Sequence, residues 1–337
     1  MSDALRVEAT RGGIVESVHR VSLAVVDREG CLVASAGDPE LVTFWRSAAK
    51  PFQAMPLVTD GAADHFGFGP QELALACASH SSEPTHRAVA ERMLALLGLG
   101  EEALACGPHP PLSPLVANEV VRKGIVMTPV WSNCSGKHAG MLALARFHDW
   151  PLAGYERRGH PVQERMLREV ERWTGIPSDR LALGVDGCTV VSFGLTLSAM
   201  ARAYARFGVS EEPAARRLRA AMAGEPLLTA GAARLETALA EATVGRVIAK
   251  IGADGVYCAT LPEAGLGVAL KVEDGDMASL GPALLATLRE LAAHRASGFE
   301  PAAWPPTVAG HAEYPILSTH GVPTGVVRAA GGLRFFD

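Results

Sequence analysis

Apolar residues gather into strand-like runs at both ends of this chain and recur with a helical period through its middle. Arg20-Val-Ser-Leu-Ala-Val-Val and Gly30-Cys-Leu-Val-Ala-Ser read as strands, joined by Asp27-Arg-Glu-Gly, a turn short enough to close a hairpin. An antiparallel meander is therefore expected over the first 35 residues. From Ser47 to about residue 242 the pattern turns helical, with helices predicted over 84–97, 137–148, 160–174, 192–207, 212–223 and 232–242. The first of these follows Ser81-Ser-Glu, carries Pro84 in its first turn and has Gly98 beyond its end, which makes Ser81 or Ser82 the expected cap. Strand character returns in Gly255-Val-Tyr-Cys-Ala-Thr-Leu and Gly265-Leu-Gly-Val-Ala-Leu-Lys-Val, separated by Pro262-Glu-Ala. A long helix over 277–295 comes next, then a passage with Pro301, Pro305, Pro306, Pro315 and Pro323 ahead of Gly325-Val-Val-Arg.

Strands at both ends with helices between them do not fit repeated βαβ units. The pattern predicts an α+β fold whose antiparallel sheet takes strands from near both termini, is flanked by helices, and carries a mostly helical insertion. The expected organisation is one catalytic unit over 1–337, with a sheet subdomain from 1–45 and 245–337 and a mostly helical subdomain from 46–244.

Composition narrows the function. The 337 residues are 48% apolar and 20% charged, enough to bury one large core or two smaller ones. Thirty-one Lys plus Arg against 36 Asp plus Glu leave a net charge of -5 with no basic run, so no nucleic-acid partner is expected. Apolar stretches such as 181–185 and 266–270 fall far short of the roughly 20 residues that cross a bilayer, so no membrane partner is expected either. The opening Met1-Ser-Asp-Ala-Leu-Arg has no apolar export segment before Glu8 and Arg11, which predicts a cytoplasmic location. Cys31, Cys77, Cys106, Cys134, Cys188 and Cys258 are too few for a disulfide scaffold and read first as reduced, small core residues.

Four short segments could carry chemistry. In Arg46-Ser-Ala-Ala-Lys-Pro, one helical turn puts the Ser47 hydroxyl and the Lys50 amine on the same face. Pro51 has no N–H for the Ser47 carbonyl, which places Ser47 at the very start of a helix. A lysine held neutral by its surroundings can take the proton of such a serine, although an isolated S-x-x-K more often describes a capping serine and a solvated lysine. In Cys77-Ala-Ser-His-Ser-Ser-Glu-Pro-Thr-His, Ser79 and His80 lie on the loop before the expected cap, where a second hydroxyl could relay protons. Lys250-Ile-Gly, ahead of the returning strands, matches the lysine and glycine that serine acyl enzymes set opposite S-x-x-K. The fourth feature has two halves, Asn133-Cys-Ser-Gly-Lys-His and Val185-Asp-Gly-Cys, whose thiols and carboxylate suit zinc but also fit two buried cysteines.

Together these segments resemble the rhizobial-type L-asparaginases of the asparaginase II family. The carrying residues are Arg46-Ser-Ala-Ala-Lys-Pro-Phe-Gln, Ala78-Ser-His-Ser-Ser-Glu-Pro-Thr-His, Asn133-Cys-Ser-Gly-Lys-His-Ala-Gly-Met and Gly184-Val-Asp-Gly-Cys, followed by Leu197-Ser-Ala-Met-Ala-Arg-Ala-Tyr. The resemblance implies a fold like serine β-lactamases and glutaminases, a homodimer, and hydrolysis of the small-molecule substrate L-asparagine to L-aspartate and ammonia. It also implies a Zn2+ site on Cys134, Lys137 and Cys188, with Asp186 beside it. A lysine ligand must be neutral, which costs roughly 4 to 5 kcal/mol at neutral pH for an unperturbed amine. Without that change Lys137 would stay a cation able to hold the substrate carboxylate.

The expected mechanism has Ser47 attacking the side-chain amide with Lys50 as general base, and Ser79 with Lys250 as a second hydroxyl and amine pair. That pair would pass a proton to the leaving nitrogen or supply the nucleophile itself. Arg46, His80, His138 and Asp186 are the substrate-binding candidates, with a structural role open for Arg46 and His138. After Cys188 the chain reads Thr-Val-Val-Ser-Phe-Gly-Leu-Thr, without the prolines that the family pattern places near Val191 and Thr196. Glutaminase activity is the nearest rival, because one methylene discriminates by only about 1 to 3 kcal/mol. A penicillin-recognising serine acylase and a catalytically silent zinc-binding interaction protein are the more distant ones.

Overall fold

A computed structural model describes residues 4–294 and 304–336. The fold is α+β, and the chain forms two compact units. The first comprises the described residues of Met1–Ala48, Leu195–Val209 and Ala238–Asp337, and the second comprises Ala49–Gly194 and Ser210–Thr237. No helix among the described residues is long and apolar enough to cross a membrane.

The first unit is built on a nine-stranded sheet that takes strands from both ends of the chain. Its order is Glu313–Leu317, Pro323–Ala330, Arg6–Arg11, Ile14–Asp27, Leu266–Val272, Val256–Leu261 and Ile248–Gly252, with Leu32–Ala36 also on Ile14–Asp27 and Arg334–Phe335 on Leu32–Ala36. The pairings are antiparallel, as expected from the hairpins in the sequence. Ile14–Asp27 is the spine. Its first half pairs with Arg6–Arg11 and is largely exposed, whereas Val21, Ser22, Leu23, Ala24, Val25 and Val26 are buried between Leu266–Val272 and Leu32–Ala36. The helix Leu197–Val209 packs on this buried half and on the two strands beyond it. The approach is close enough that a Cβ at Gly267 would collide with the Ala201 carbonyl oxygen and the Ala205 nitrogen.

The second unit is helical apart from the hairpin Ala182–Val185 and Val191–Thr196 as far as Gly194. Lys50–Thr59 packs against Ser135–Phe147, Pro161–Thr174 and Pro213–Gly224, and every residue from Ser135 to Ala145 is buried. Prolines open several helices here, at Pro70, Pro84, Pro114, Pro161 and Pro213, where the missing N–H is one the helix cannot use.

Several boundaries differ from the sequence reading for identifiable reasons. The stretch expected as a helix over 192–207 begins as the strand Val191–Thr196, because Val191 and Phe193 are β-formers that pair with Val185 and Leu183. The helix proper starts at Leu197. Lys250, expected just ahead of a strand, lies inside Ile248–Gly252. The helix Pro84–Leu96 is capped by Glu83, not by Ser81 or Ser82, whose hydroxyls donate to the carbonyls of Ala230 and Trp131 at 3.1 and 2.7 Å. The helix expected over 277–295 runs from Leu280 to Ala293; Arg295 and Pro301 lie outside the described residues.

The Gly267 approach predicts a stability effect. Gly267→Ala should lower the urea midpoint by the equivalent of about 1 to 3 kcal/mol or more, since backbone on both sides must yield. Gly224→Ala, whose added methyl would meet nothing within 4 Å, should not lower it.

Candidate active site

The first unit holds Arg46, Ser47 and Lys250. Ser47 lies in the 3-10 turn Arg46–Ala49, directly before the helix Lys50–Thr59, and is half-buried. The sequence placed it at a helix start, and the turn agrees. Arg46 has φ 53° and pairs with Asp254, which itself has φ 55°. The carbonyl of Ala48 accepts from the Tyr204 hydroxyl at 2.7 Å, which ties this turn to the Leu197–Val209 helix. Lys250 is fully buried, donates to the Ile251 carbonyl at 3.1 Å and faces Cys258 across the strand pair. Burial pushes the Cys258 thiol up to about 12, opposed by Trp45 and Lys250, so the Lys250 amine and the residue two before Ser47 share one neighbour.

The second unit gathers the remaining candidates into two adjoining clusters. Lys50, 1% exposed, extends its amine to the carbonyl oxygen of Ala78 at 2.5 Å, Ser79 Oγ at 3.0 Å and the carbonyl oxygen of Asn133 at 3.4 Å. Three segments must meet for this. Gly136 makes it possible, since a Cβ there would lie 2.5 Å from Leu75 Cγ and against the Leu75 backbone. The Asn133 carbonyl also accepts from the His80 amide at 3.2 Å. His80 is fully buried, which drives its pKa well below the usual 6.5, with His86 and Lys50 adding to the effect. The Ser82 amide donates to its Nδ1 at 3.2 Å, so the ring proton sits on Nε2 and is shared with Ser135 Oγ at 2.8 Å.

The second cluster contains the thiols. Lys137 donates to Cys188 Sγ at 3.0 Å. The Cys188 thiol is held down to about 4, first by its hydrogen bond with Cys134 and then, against burial, by the Lys137 charge. Cys134 is the protonated partner, pushed up to about 12 by that hydrogen bond and by burial. Burial opposes the Lys137 charge, but Cys188, Cys134 and the half-buried Asp186 outweigh it and raise its pKa. The Cys188 thiolate is therefore hydrogen-bonded by both the Cys134 thiol and the Lys137 ammonium. Two sulfurs and one nitrogen are a donor set that suits zinc, provided that Cys134 and Lys137 each give up a proton. Among the described residues no group of three or more His, Cys, Asp and Glu is arranged to hold a metal ion, so Lys137 would have to be a ligand.

His138, next in the chain, accepts on Nδ1 from the Tyr155 hydroxyl at 2.6 Å. The electrostatic neighbours of His138 are Lys137, Cys134 and Lys50, which join the two clusters. The geometry thus brings together Lys50, Ser79, His80, Cys134, Lys137, His138, Asp186 and Cys188 in one unit. Sequence reasoning passed over three contributors here: the Asn133 carbonyl, Ser135 and Tyr155. The first two lie inside a segment already singled out, and a carbonyl carries no side-chain signal. Tyr155 is seventeen positions from His138, and no local pattern marks it.

Among curated proteins none matches the chain. Among solved structures it is similar to Mglu in its native form at 16% identity, with 87% of this chain and 68% of that chain covered and a TM-score of 0.46. Mglu in its tris and glutamate form gives 15% identity, coverage of 90% and 65%, and a TM-score of 0.44. This chain therefore spans about two thirds of the length of Mglu. A beta-lactamase from Mycobacterium bovis is similar at 12% identity, with 75% and 87% covered and a TM-score of 0.35. The L-asparaginase II family matches residues 7–329, which takes in every segment of both clusters as well as Ser47 and Lys250. The chain belongs to the L-asparaginase II family and is an enzyme of that amidohydrolase class.

Proposed function

We propose that this enzyme hydrolyses L-asparagine to L-aspartate and ammonia through a serine nucleophile and a lysine general base. The observation that carries the reading is the set of partners around Lys50 Nζ. A neutral amine has two N–H bonds and one lone pair. All three partners accept from the Lys50 amine. In the proposed reaction the amine gives up one proton, the carbonyls of Ala78 and Asn133, which can only accept, keep its two N–H bonds, and the lone pair turns to a hydroxyl.

In the proposed sequence Ser47 Oγ bonds to the side-chain amide carbon while its proton passes to Lys50. The tetrahedral adduct then breaks its C–N bond, and the nitrogen leaves as ammonia after receiving a proton. Ser79 is the hydroxyl through which Lys50 hands that proton on, and the 3.0 Å contact between them supports this role. Lys250 is the second amine of the relay, assigned by its sequence context. Water next attacks the aspartyl ester and frees both Ser47 and aspartate. The dipole of the Lys50–Thr59 helix favours negative charge near Ser47 during the attack. Arg46, His80, His138 and Asp186 are assigned to holding the substrate's carboxylate and polar edges.

Cys134, Lys137 and Cys188 would hold a zinc ion in this reading, and the ion would supply a fixed positive charge that helps to seat the substrate. In this reading Asp186 would close the fourth position beside the two thiolates and the lysine, which suits the site to positioning more than to generating hydroxide.

Ammonia release from L-asparagine by the pure protein tests the reaction, with L-glutamine as the parallel substrate. Ser47→Ala should lower kcat/KM roughly 10⁴-fold or more, and Ser79→Ala by about 10²- to 10⁴-fold. Full loss in Ser79→Ala with substantial activity left in Ser47→Ala would move the nucleophile to Ser79. No release by the parent protein would end the proposal. Chelation is the second test. Removing zinc should raise KM more than it lowers kcat, and equal losses of kcat and kcat/KM at constant KM would contradict a positioning role.

A further inference from the structure

Three buried histidines of the second unit follow one pattern, and one of them leaves it incomplete. His80 accepts on Nδ1 from the Ser82 amide and donates from Nε2 to Ser135 Oγ. His86 accepts on Nδ1 from the Glu83 amide at 3.2 Å and donates from Nε2 to the Leu227 carbonyl at 2.8 Å. His138 accepts on Nδ1 from Tyr155, but its Nε2 is buried and meets no hydrogen-bond partner among the described residues. His138 is 0% exposed.

The direction of the Tyr155 bond can be decided. Of the two groups bonded to the Tyr155 oxygen among the described residues, the Ala105 amide at 2.9 Å can only donate, so His138 Nδ1 at 2.6 Å is the acceptor available to the hydroxyl proton. An imidazole whose Nδ1 accepts a hydrogen bond carries no proton there, so the ring is neutral. The hydroxyl of Tyr155 is itself pushed away from ionisation by burial, so it keeps the proton it donates. A neutral imidazole with Nδ1 occupied as acceptor must carry its proton on Nε2. The result is a buried N–H donor without an acceptor, in the electrostatic company of Lys137, Cys134 and Lys50. A buried donor left unpaired loses its hydration with nothing in return, so one is seldom kept unless a further group completes the bond.

We propose that Tyr155 is a positioning residue whose hydroxyl locks His138 in the Nε2–H tautomer, and that this N–H binds an acceptor oxygen of the amino-acid substrate. The inference rests on the asparaginase reading for the identity of the ligand, but the tautomer does not depend on it. Tyr155 touches no substrate in this account and acts only through the ring.

Nitrogen-15 spectra of histidine-labelled protein read the tautomer directly. In the parent protein His138 should show a protonated Nε2 and a bare Nδ1, and L-aspartate should shift Nε2 more than Nδ1. Tyr155→Phe should give a mixed tautomer and raise KM for asparagine about tenfold, with kcat changed by less than about threefold, since the bond is made alike in ground and transition states. A proton on Nδ1 in the parent, an Nε2 signal indifferent to L-aspartate, or a Tyr155→Phe protein with unchanged tautomer and KM would each overturn the proposal. Should Tyr155→Phe fold poorly, the parent spectra with and without L-aspartate still decide it. Absence of asparagine hydrolysis by the parent would defeat the functional reading alone, because the tautomer is read without turnover.

Discussion

Burying Lys50 constrains the helical unit more than any other single feature. An amine with 1% exposure needs its hydrogen bonds supplied by protein, and two of the three partners are carbonyls from segments 28 and 83 positions away. Ala78 follows the helix Pro70–Ala76, and Asn133 precedes the helix Ser135–Phe147, so the ends of two helices must reach the start of a third. That meeting is only as close as the contact between the Ser135–Phe147 and Pro70–Ala76 helices permits. Gly136 sets this limit because it gives Leu75 room that no side chain would leave. A glycine that looks like part of a chemical motif in the sequence thus serves packing, and packing delivers the acceptors.

The same crowding explains the charge pattern. Burial drives His80 and His138 toward their neutral forms, with neighbouring lysines pushing the same way. Among the titratable side chains here, the Cys188 thiolate is the negative group that Lys137 contacts directly, with Asp186 adding a more distant one. Cys134 stabilises that thiolate by donating to it instead of ionising beside it. Two neighbouring thiols therefore share one negative charge, as two close acids must when ionising both would set like charges side by side. A divalent cation would reverse the arrangement by making both thiolates and a neutral lysine favourable at once.

Much of the fold was legible because it rests on local signals. Asp27-Arg-Glu-Gly closes the hairpin that was expected, and the helices Pro161–Thr174 and Pro213–Gly224 begin one residue after the positions read from sequence, with His160 and Glu212 as their caps. The errors fell where a distant partner decides. Ala182–Val185 makes a strand of Val191–Thr196, although the apolar run continues straight into the Leu197–Val209 helix and reads as a single segment. Ser81 and Ser82 were natural caps by composition, but carbonyls from Ala230 and Trp131 claim both hydroxyls. For the site, contiguous motifs placed Ser79, Lys137 and Cys188 beside chemistry. Which amine meets which hydroxyl is a tertiary fact, and the Lys50 contact with Ser79 was not the pairing expected.

Backbone conformation adds an independent mark on the same segments. Of the seven non-glycine residues with positive φ among the described residues, Arg46 lies beside Ser47, Ser82 follows His80 by two, Thr189 follows Cys188, and Asp254 is the partner of Arg46. Such a conformation costs of order 1 kcal/mol or more, and most for the β-branched Thr189 at φ 76°. Each is held by bonds that a relaxed backbone would lose. Ser82 spends its amide on His80 Nδ1 and its hydroxyl on Trp131, while Thr189 bonds the Asp186 carbonyl through its amide and the Ala105 carbonyl through its hydroxyl. The strained residue at Ser82 is thus the one that fixes the His80 tautomer, and the one at Thr189 closes the turn that presents Asp186 and Cys188.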